Sequence, residues 1–169
     1  MIKLRIKMDL EIDPLNPFSP ETVGKLESVF GEELPLLCRR LENLAEAEVS
    51  VSFLSEAEMR SINKRYRGCD EATDVLSFPL WEENESLTSF GLEQFEPFPL
   101  GDIVICPEEA ERMHAPMSRM EALCLVLGHG FLHLLGWDHD TPEKEELMWD
   151  RQELLKSRLL NAVERGAKA

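Results

Sequence analysis

Three of the four histidines lie within eleven residues of one another, at positions 129, 133 and 139. His129 and His133 are four residues apart, so on an α-helix their side chains project from one face, about one turn apart and offset by only about 40°. Two imidazoles placed in this way can bind one ion at the ~2.0–2.1 Å that Zn–N bonds require. Gly136 then allows the chain to leave the helix, and His139 can supply a third nitrogen from the other side. We therefore predict a zinc site with one open tetrahedral position, which is typical of catalytic zinc.

The spacing of these histidines is also that of the metzincin proteases, H-E-x-x-H-x-x-G-x-x-H, with one difference. Gly130 stands where those proteases have the glutamate that acts as general base. Peptide hydrolysis by that mechanism therefore lacks its base here. Gly128 and Gly130 would each cost the helix about 1 kcal/mol relative to alanine, which predicts a close approach of another group. The simplest alternative to a metal site is a set of packed or exposed histidines, and the isolated His114 is interpreted in that way.

A helix over residues 119–135 is predicted to carry the first two histidines. Ser118 and Glu121 cap its start, and Gly136 ends it. Its sequence is apolar nearly all round, so we expect it to run through the middle of the domain. Thr141 and Pro142 start a last helix with an acidic first turn, which suits the helix dipole.

The elements before this helix are predicted from hydrophobic periodicity and from capping and turn residues. Apolar and charged residues alternate over 2–13, which predicts a strand with one buried face. A helix should then run from Ser19-Pro20 to about Ala45, with a break or kink at Pro35. A second helix should run from Ser55 to about Tyr66, where Glu58 completes a capping box and Gly68 ends the helix. The remaining predicted elements are strands at 49–53, 73–78 and 102–106, an extended surface loop at 82–99, and a short helix that begins at Pro107. We therefore predict one α+β domain over residues 1–169. It should have about four strands in a mostly mixed sheet packed with helices, and one central buried helix carrying the metal ligands.

The composition is that of an ordinary globular chain, with 43% hydrophobic and 30% charged residues among 169. The four cysteines are widely spaced and form no CxxC pair, which argues against a zinc knuckle or a disulfide framework and favours reduced thiols in the cytosol. The N-terminus lacks a signal-peptide stretch, and the longest apolar run falls short of the ~20 residues of a membrane span. We expect a soluble cytoplasmic protein without a membrane partner.

Three blocks of sequence, in a fixed order, carry a more specific resemblance. Residues 129–139 read HGFLHLLGWDH, residues 63–79 read NKRYRGCDEATDVLSFP, and residues 100–106 read LGDIVIC. They are similar to the patterns H-G-x-L-H-L-x-G-[YW]-D-H, N-x-x-[YF]-R-x-x-x-x-x-T-[DN]-V-L-S-F-P and L-G-D-I-V-I-S of the YbeY family of bacterial rRNA maturation endoribonucleases. The resemblance covers most of the chain from Val49 onward. Gly128, Trp137 and the acidic loop 82–99 are departures from the pattern, but none of them removes a histidine.

The resemblance implies one Zn²⁺ per chain on His129, His133 and His139, and a functionally important arginine that maps to Arg67. It implies a zinc-dependent endoribonuclease, specific for single strands, that acts in rRNA maturation at the 3′ end of small-subunit rRNA and in ribosome quality control. The implied partners are rRNA, small-subunit precursors of the ribosome, and ribosomal or ribosome-assembly proteins, with no DNA. Zinc can polarise a phosphoryl oxygen or lower the pKa of water. An arginine fork suits the negative charge that builds up as a phosphodiester is cleaved.

The formal net charge of −15 is unusual for a protein that binds RNA, because neutralised phosphates supply most non-specific affinity. Any basic footprint must therefore be local. The stretch 60–67 has four basic residues and no acidic one, so it is the candidate for contacts with RNA phosphates. The four are Arg60, Lys64, Arg65 and Arg67. For the first three, a solvated helix face with ion pairs to the nearby Glu56 and Glu58 is an equal alternative.

Asp74, Asp102 and Asp138 are candidates for orienting the histidines, because a metal-bound imidazole usually donates its other N–H to a carboxylate or carbonyl. Capping of a strand end or turn is the alternative for each aspartate. Two other functions stay open at this point. One is a ribosome-assembly factor with a structural zinc, which the acidic surface and the lack of an obvious general base favour. The other is a different zinc hydrolase of peptides, amides or esters. Three imidazoles would also accept nickel or copper.

Overall fold

Five α-helices and four strands make up the computed structural model, which describes residues 3–7, 14–81 and 97–167, with side chains up to residue 164. The elements are β1 (Lys3–Lys7), α1 (Pro20–Leu37), β2 (Glu46–Phe53), α2 (Glu56–Arg67), β3 (Val75–Pro79), β4 (Phe98–Ile105), α3 (Pro107–Met113), α4 (Arg119–Leu134) and α5 (Pro142–Ala167), with a 3-10 turn at Arg39–Leu41. The predicted α+β class is confirmed. None of the helices in the described ranges combines the length and apolar character needed to cross a bilayer.

The sheet is mixed, with strand order β1-β2-β4-β3 among the described residues. β1 pairs with β2 and β2 with β4 in parallel, while β3 and β4 are antiparallel. Parallel neighbours need a crossover connection, which α1 supplies between β1 and β2. Leu4 and Ile6 of β1 are buried and their neighbours exposed, as the alternation predicted. Residues 8–13 of that predicted strand lie outside the described residues.

Helix α4 is the buried centre of the fold, as predicted. It contacts β3 and β4 on one side and α5 on the other, and α5 also packs against α1. The Ser118 hydroxyl accepts the backbone N–H of Glu121 at 3.1 Å, which confirms the predicted N-cap. Eleven of its sixteen residues are buried, so packing in the core fixes the position of the helix and of the histidines that it carries. The capping box of Ser55 and Glu58 and the left-handed Gly68 that ends α2 are confirmed as well.

Helix α1 ends at Leu37, so the prediction of a helix to about Ala45 was wrong at its C-terminal end. Pro35 lies in the last turn. It has no N–H for the carbonyl one turn earlier, and its ring crowds that carbonyl, so the helix stops two residues later. The N–H of Cys38 caps the end by donating to the Leu34 carbonyl at 3.0 Å.

Strand β4 begins at Phe98, four residues before the predicted start, so the last two residues of the predicted loop 82–99 belong to the sheet. Residues 82–96 of that loop lie outside the described residues. The proline and glycine of Phe98-Pro-Leu-Gly101 are typical of loops, but a bulge accommodates them: Glu48 of β2 pairs with Pro99 and Val49 pairs with Gly101. Gly101 has φ +140°, and a Cβ there would lie 2.3 Å from the Phe78 carbonyl oxygen.

Candidate metal centre

The three predicted histidine ligands converge in the structure. The Nε2 atoms of His129 and His133, one turn apart on α4, are 3.0 Å from each other. One ligand nitrogen from each of His129, His133 and His139 can be chosen such that all three lie within 4.8 Å of one another. Tetrahedral zinc with bonds of ~2.0–2.1 Å separates its nitrogen ligands by about 3.3–3.4 Å, so small side-chain adjustments suffice. This donor set fits one zinc ion.

The hydrogen bonding of His129 also fits a metal ligand. Its Nδ1 lies 2.5 Å from the side-chain oxygen of Gln152, a buried residue of α5. An amide oxygen only accepts hydrogen bonds, so Nδ1 carries the proton and Nε2 keeps its lone pair. That lone pair faces the other two histidines. Burial, followed by the neighbouring His129 and His139, lowers the pKa of His133 to about 4, so this ring is in the neutral form that binds metals.

A tight turn after α4 brings His139 to the other two rings. Gly136 has φ +90°, a left-handed conformation that favours glycine, and its N–H donates to the His133 carbonyl at 3.1 Å. The indole N–H of Trp137 donates to the Leu37 carbonyl at 3.0 Å, which fixes the turn to the end of α1. The Asp138 carboxylate accepts the backbone N–H of His139 at 2.7 Å. Three separate contacts thus hold the third histidine, although its side chain is exposed.

The glycine at the protease-base position packs directly against the sheet. A Cβ on Gly130 would lie 2.9 Å from Ile103 Cγ2 and 3.2 Å from the Ser77 hydroxyl oxygen. That hydroxyl donates to the Gly130 carbonyl at 3.2 Å. The predicted close approach is therefore present at Gly130, and this face of α4 has no room for a glutamate. At Gly128 the approach is looser, since a Cβ would lie 3.4 Å from the Leu155 side chain.

Arg67 and the three histidines line one cleft of about 600 Å³. Arg67 is exposed and stands at the C-terminal end of α2, next to Tyr66, whose ring meets Phe78 of β3 edge to face at 5.3 Å. No carboxylate lies within 4.0 Å of its guanidinium among the side chains that the structure describes. Arg67 thus offers an unengaged cationic fork on the wall of the histidine cleft.

The other basic residues of the 60–67 stretch are placed differently. Arg60 makes a two-pronged ion pair with Asp70, at 2.8 and 3.3 Å, and the Lys64 amine is 3.8 Å from the same carboxylate. The Arg65 guanidinium lies 5.5 Å from the ring centroid of Tyr66. The ion-pair alternative therefore applies to Arg60 and Lys64, with Asp70 as partner and not the nearby glutamates. A contact of Arg60, Lys64 or Arg65 with RNA stays a prediction.

The three aspartates have different surroundings. The Asp74 carboxylate is 2.8 Å from Nε2 of His114 and accepts the Val75 N–H at 2.8 Å, so it orients the fourth histidine. Asp102 lies in β4 opposite Ser50 and Phe78, and no hydrogen bond joins it to the three histidines within the described part of the chain. Of the three aspartates, Asp138 alone lines the cleft.

Gln152 is the residue that sequence reasoning missed. It is separated by 23 positions from His129, and its contact depends on how α5 packs against α4. A glutamine in a charged helix gives no local signal of such a partner. A search for polar positions on the buried face of α5 would have found it, because Gln152 is the one polar residue of α5 that is buried among the described residues.

Comparisons with known proteins identify the family. The family model described as "Endoribonuclease YbeY" matches residues 20–160. The chain is 40% identical over 154 residues to the protein of that name from Geobacillus thermodenitrificans, covering 89% of this chain and 97% of the relative. It is 38% identical over 152 residues to the one from Halalkalibacterium halodurans, covering 86% and 93%. The solution structure of TM1509 from Thermotoga maritima is similar with a TM-score of 0.50 and 26% identity, over 98% of this chain and 93% of that one. The chain therefore belongs to the YbeY family, as the three sequence blocks predicted.

Proposed function

We propose that this protein is a zinc-dependent endoribonuclease that cleaves single-stranded RNA during rRNA maturation and takes part in ribosome quality control. The observation that carries this proposal is the cleft itself, in which the Arg67 guanidinium and three converging imidazoles face one space. The relatives are named endoribonucleases, which supplies RNA as the substrate class. The proposed partners are rRNA and precursors of the small ribosomal subunit, and the proposed location is the cytoplasm.

Each part of the cleft has a role that its position supports. Zinc, when bound by His129, His133 and His139, would supply Lewis-acid chemistry at a phosphoryl group. Arg67 binds the non-bridging phosphate oxygens and stabilises the charge that they gain in the transition state. Gln152 holds His129 in the tautomer that presents Nε2. Asp138 positions His139 through the backbone N–H.

The charge distribution determines how RNA can approach. Most of the surface repels polyanions, since the net charge is −15. Asp70 engages Arg60 and Lys64, and Arg67 is the one basic residue that lines the cleft within the described part of the chain. We therefore expect weak binding to RNA, with a shallow dependence on salt concentration because few phosphates are neutralised. The same observation favours a second candidate, a ribosome-assembly factor whose zinc is structural and whose RNA contacts depend on a protein partner.

The test is cleavage of a structured rRNA fragment, with zinc in the buffer, by four proteins: wild type, Arg67→Glu, His133→Ala and Lys25→Ala. Lys25 lies on α1 in an ion pair with Glu21, so its loss changes the net charge without touching the cleft. We expect wild-type activity from Lys25→Ala and a loss of about 100-fold or more from the other two, the size of effect that removal of one transition-state hydrogen-bond donor has. Equal activity in all four would identify a contaminating nuclease. Complementation of a deletion strain by a catalytically inactive, metal-loaded Arg67→Glu protein would favour the assembly factor.

A further inference from the structure

A second pocket adjoins the histidine site, and its lining within the described residues does not include Arg67. It has a volume of about 280 Å³, and His129 and His139 line it as well as the main cleft. The rest of its wall comes mostly from α4 and α5, with Leu125, Met148 and Trp149 as its apolar members. A chain bound across the histidines would therefore pass from one pocket directly into the other.

Trp149 is the unusual residue of this pocket. Its side chain is 58% exposed, whereas Trp81 is buried and the indole N–H of Trp137 is engaged by a backbone carbonyl. Trp149 precedes Gln152 by three residues on α5, so both side chains lie on the side of α5 next to His129. A large aromatic ring that is open to solvent at a concave site offers a flat apolar face and an indole N–H donor to a ligand.

The charge of the pocket selects its occupant. Neither lysine nor arginine lines it in the part of the chain that the structure describes, and Glu145 contributes a carboxylate. His114 also lines the pocket, but its Nε2 is engaged by the Asp74 carboxylate at 2.8 Å. A phosphate would be repelled there, while a flat, uncharged group with N–H donors on its edge would be accepted. Nucleobases have both properties: a π-face that stacks on indole and exocyclic amino groups that donate to a carboxylate. The arrangement is complementary to the main cleft, where Arg67 suits a phosphate.

We propose that the pocket around Trp149 binds one unpaired base of the RNA, next to the phosphate that lies between the histidines and Arg67. This inference rests on the proposed function and adds a base subsite to it. Such a subsite requires an unstacked base, so it gives a physical reason for a preference for single strands. Glu145 would favour bases that carry an amino group.

The experiment is a double-mutant cycle between the protein and an abasic RNA. A short unstructured RNA is prepared in a series in which each position in turn lacks its base, and kcat/KM is measured with wild type and Trp149→Ala. Stacking on an aromatic side chain corresponds to about 5- to 150-fold in binding. We expect one position near the cleavage site where base removal costs wild type a factor in that range, mostly in KM, and costs Trp149→Ala almost nothing.

Three controls make the result decisive. Zinc content of every variant shows that the metal site is intact, Trp149→Phe should recover most of the activity, and Leu154→Ala removes a half-exposed side chain of the same helix that lies outside the pocket. Penalties that simply multiply at every position, with normal cleavage by wild type, would overturn the base subsite and leave the proposed function standing. Zinc-loaded wild type that neither binds nor cleaves the unmodified RNA would overturn both.

Discussion

The Nδ1 atom of His129 is hydrogen-bonded to the side-chain oxygen of Gln152 at a distance of 2.5 Å, across the interface between α4 and α5. This contact joins the candidate metal site to the last helix of the protein. It fixes which nitrogen of His129 carries the proton and how the ring is rotated. Because outer hydrogen bonds of this kind tune metal affinity, we expect α5 to contribute to metal binding without supplying a ligand.

Replacing Gln152 with alanine should weaken zinc binding by about 10- to 100-fold, the usual effect of removing a hydrogen-bond partner of a metal-bound histidine. Gln152→Glu keeps an acceptor at this position and should retain most of the affinity. Competition with a chromophoric chelator measures both. Unchanged affinity in Gln152→Ala would mean that the contact merely packs α5 against α4.

Removing any one of the three clustered histidines should abolish stoichiometric zinc binding. His129→Ala, His133→Ala and His139→Ala leave two nitrogens, which cannot form the three-ligand site. The matched control is His114→Ala, since His114 is engaged by Asp74. We expect one zinc per chain in wild type and in the control, and well below one in the other variants, by metal analysis after dialysis. Loss of zinc from His114→Ala alone would contradict the proposed ligand set.

Local features of this fold were predictable because their partners are close in the chain. The N-cap of Ser118 accepts an N–H three residues later, and the left-handed Gly136 ends α4 where the hydrophobic pattern stops. The candidate ligands followed from the same logic, since His129 and His133 are one helical turn apart. Such geometry depends on backbone periodicity and so can be inferred from spacing.

The contacts that escaped prediction join distant segments. Gln152 meets His129 only because α4 and α5 pack together, and the Trp137 indole reaches a carbonyl 100 positions away. The early start of β4 was missed because Pro99 and Gly101 are typical of loops, and only pairing with β2 shows that a bulge accommodates them. The spacing of residues along the chain does not show which helices pack together.

Substitution by alanine at two helical glycines, Gly24 and Gly130, should change the free energy of unfolding in opposite directions. Gly24 lies within α1, and a Cβ there would meet nothing within 4 Å, so Gly24→Ala should stabilise the protein by about 0.5–1 kcal/mol through helix propensity. At Gly130 a Cβ would lie 2.9 Å from Ile103, so the same substitution should destabilise by about 1–3 kcal/mol through overpacking. Urea unfolding of the metal-free proteins measures both. Equal shifts in the two variants would show that the sheet yields easily at Gly130.

The metal-free protein should lose stability in mild acid because of His133. Burial is the first cause that lowers the pKa of this ring, to about 4 from an ordinary value near 6.5. Between these two pH values the imidazole is protonated in the unfolded chain but not in the folded chain. The free energy of unfolding therefore decreases as pH falls from about 6.5 to about 4. Because part of the ring is open to solvent, we expect a contribution of roughly 1–2 kcal/mol. The His133→Asn variant has no ionisable group at this position. Its free energy of unfolding, measured in the presence of a chelator, should therefore decline less than that of wild type over this pH range. Parallel declines would show that His133 titrates in the folded protein near its ordinary pKa of 6.5.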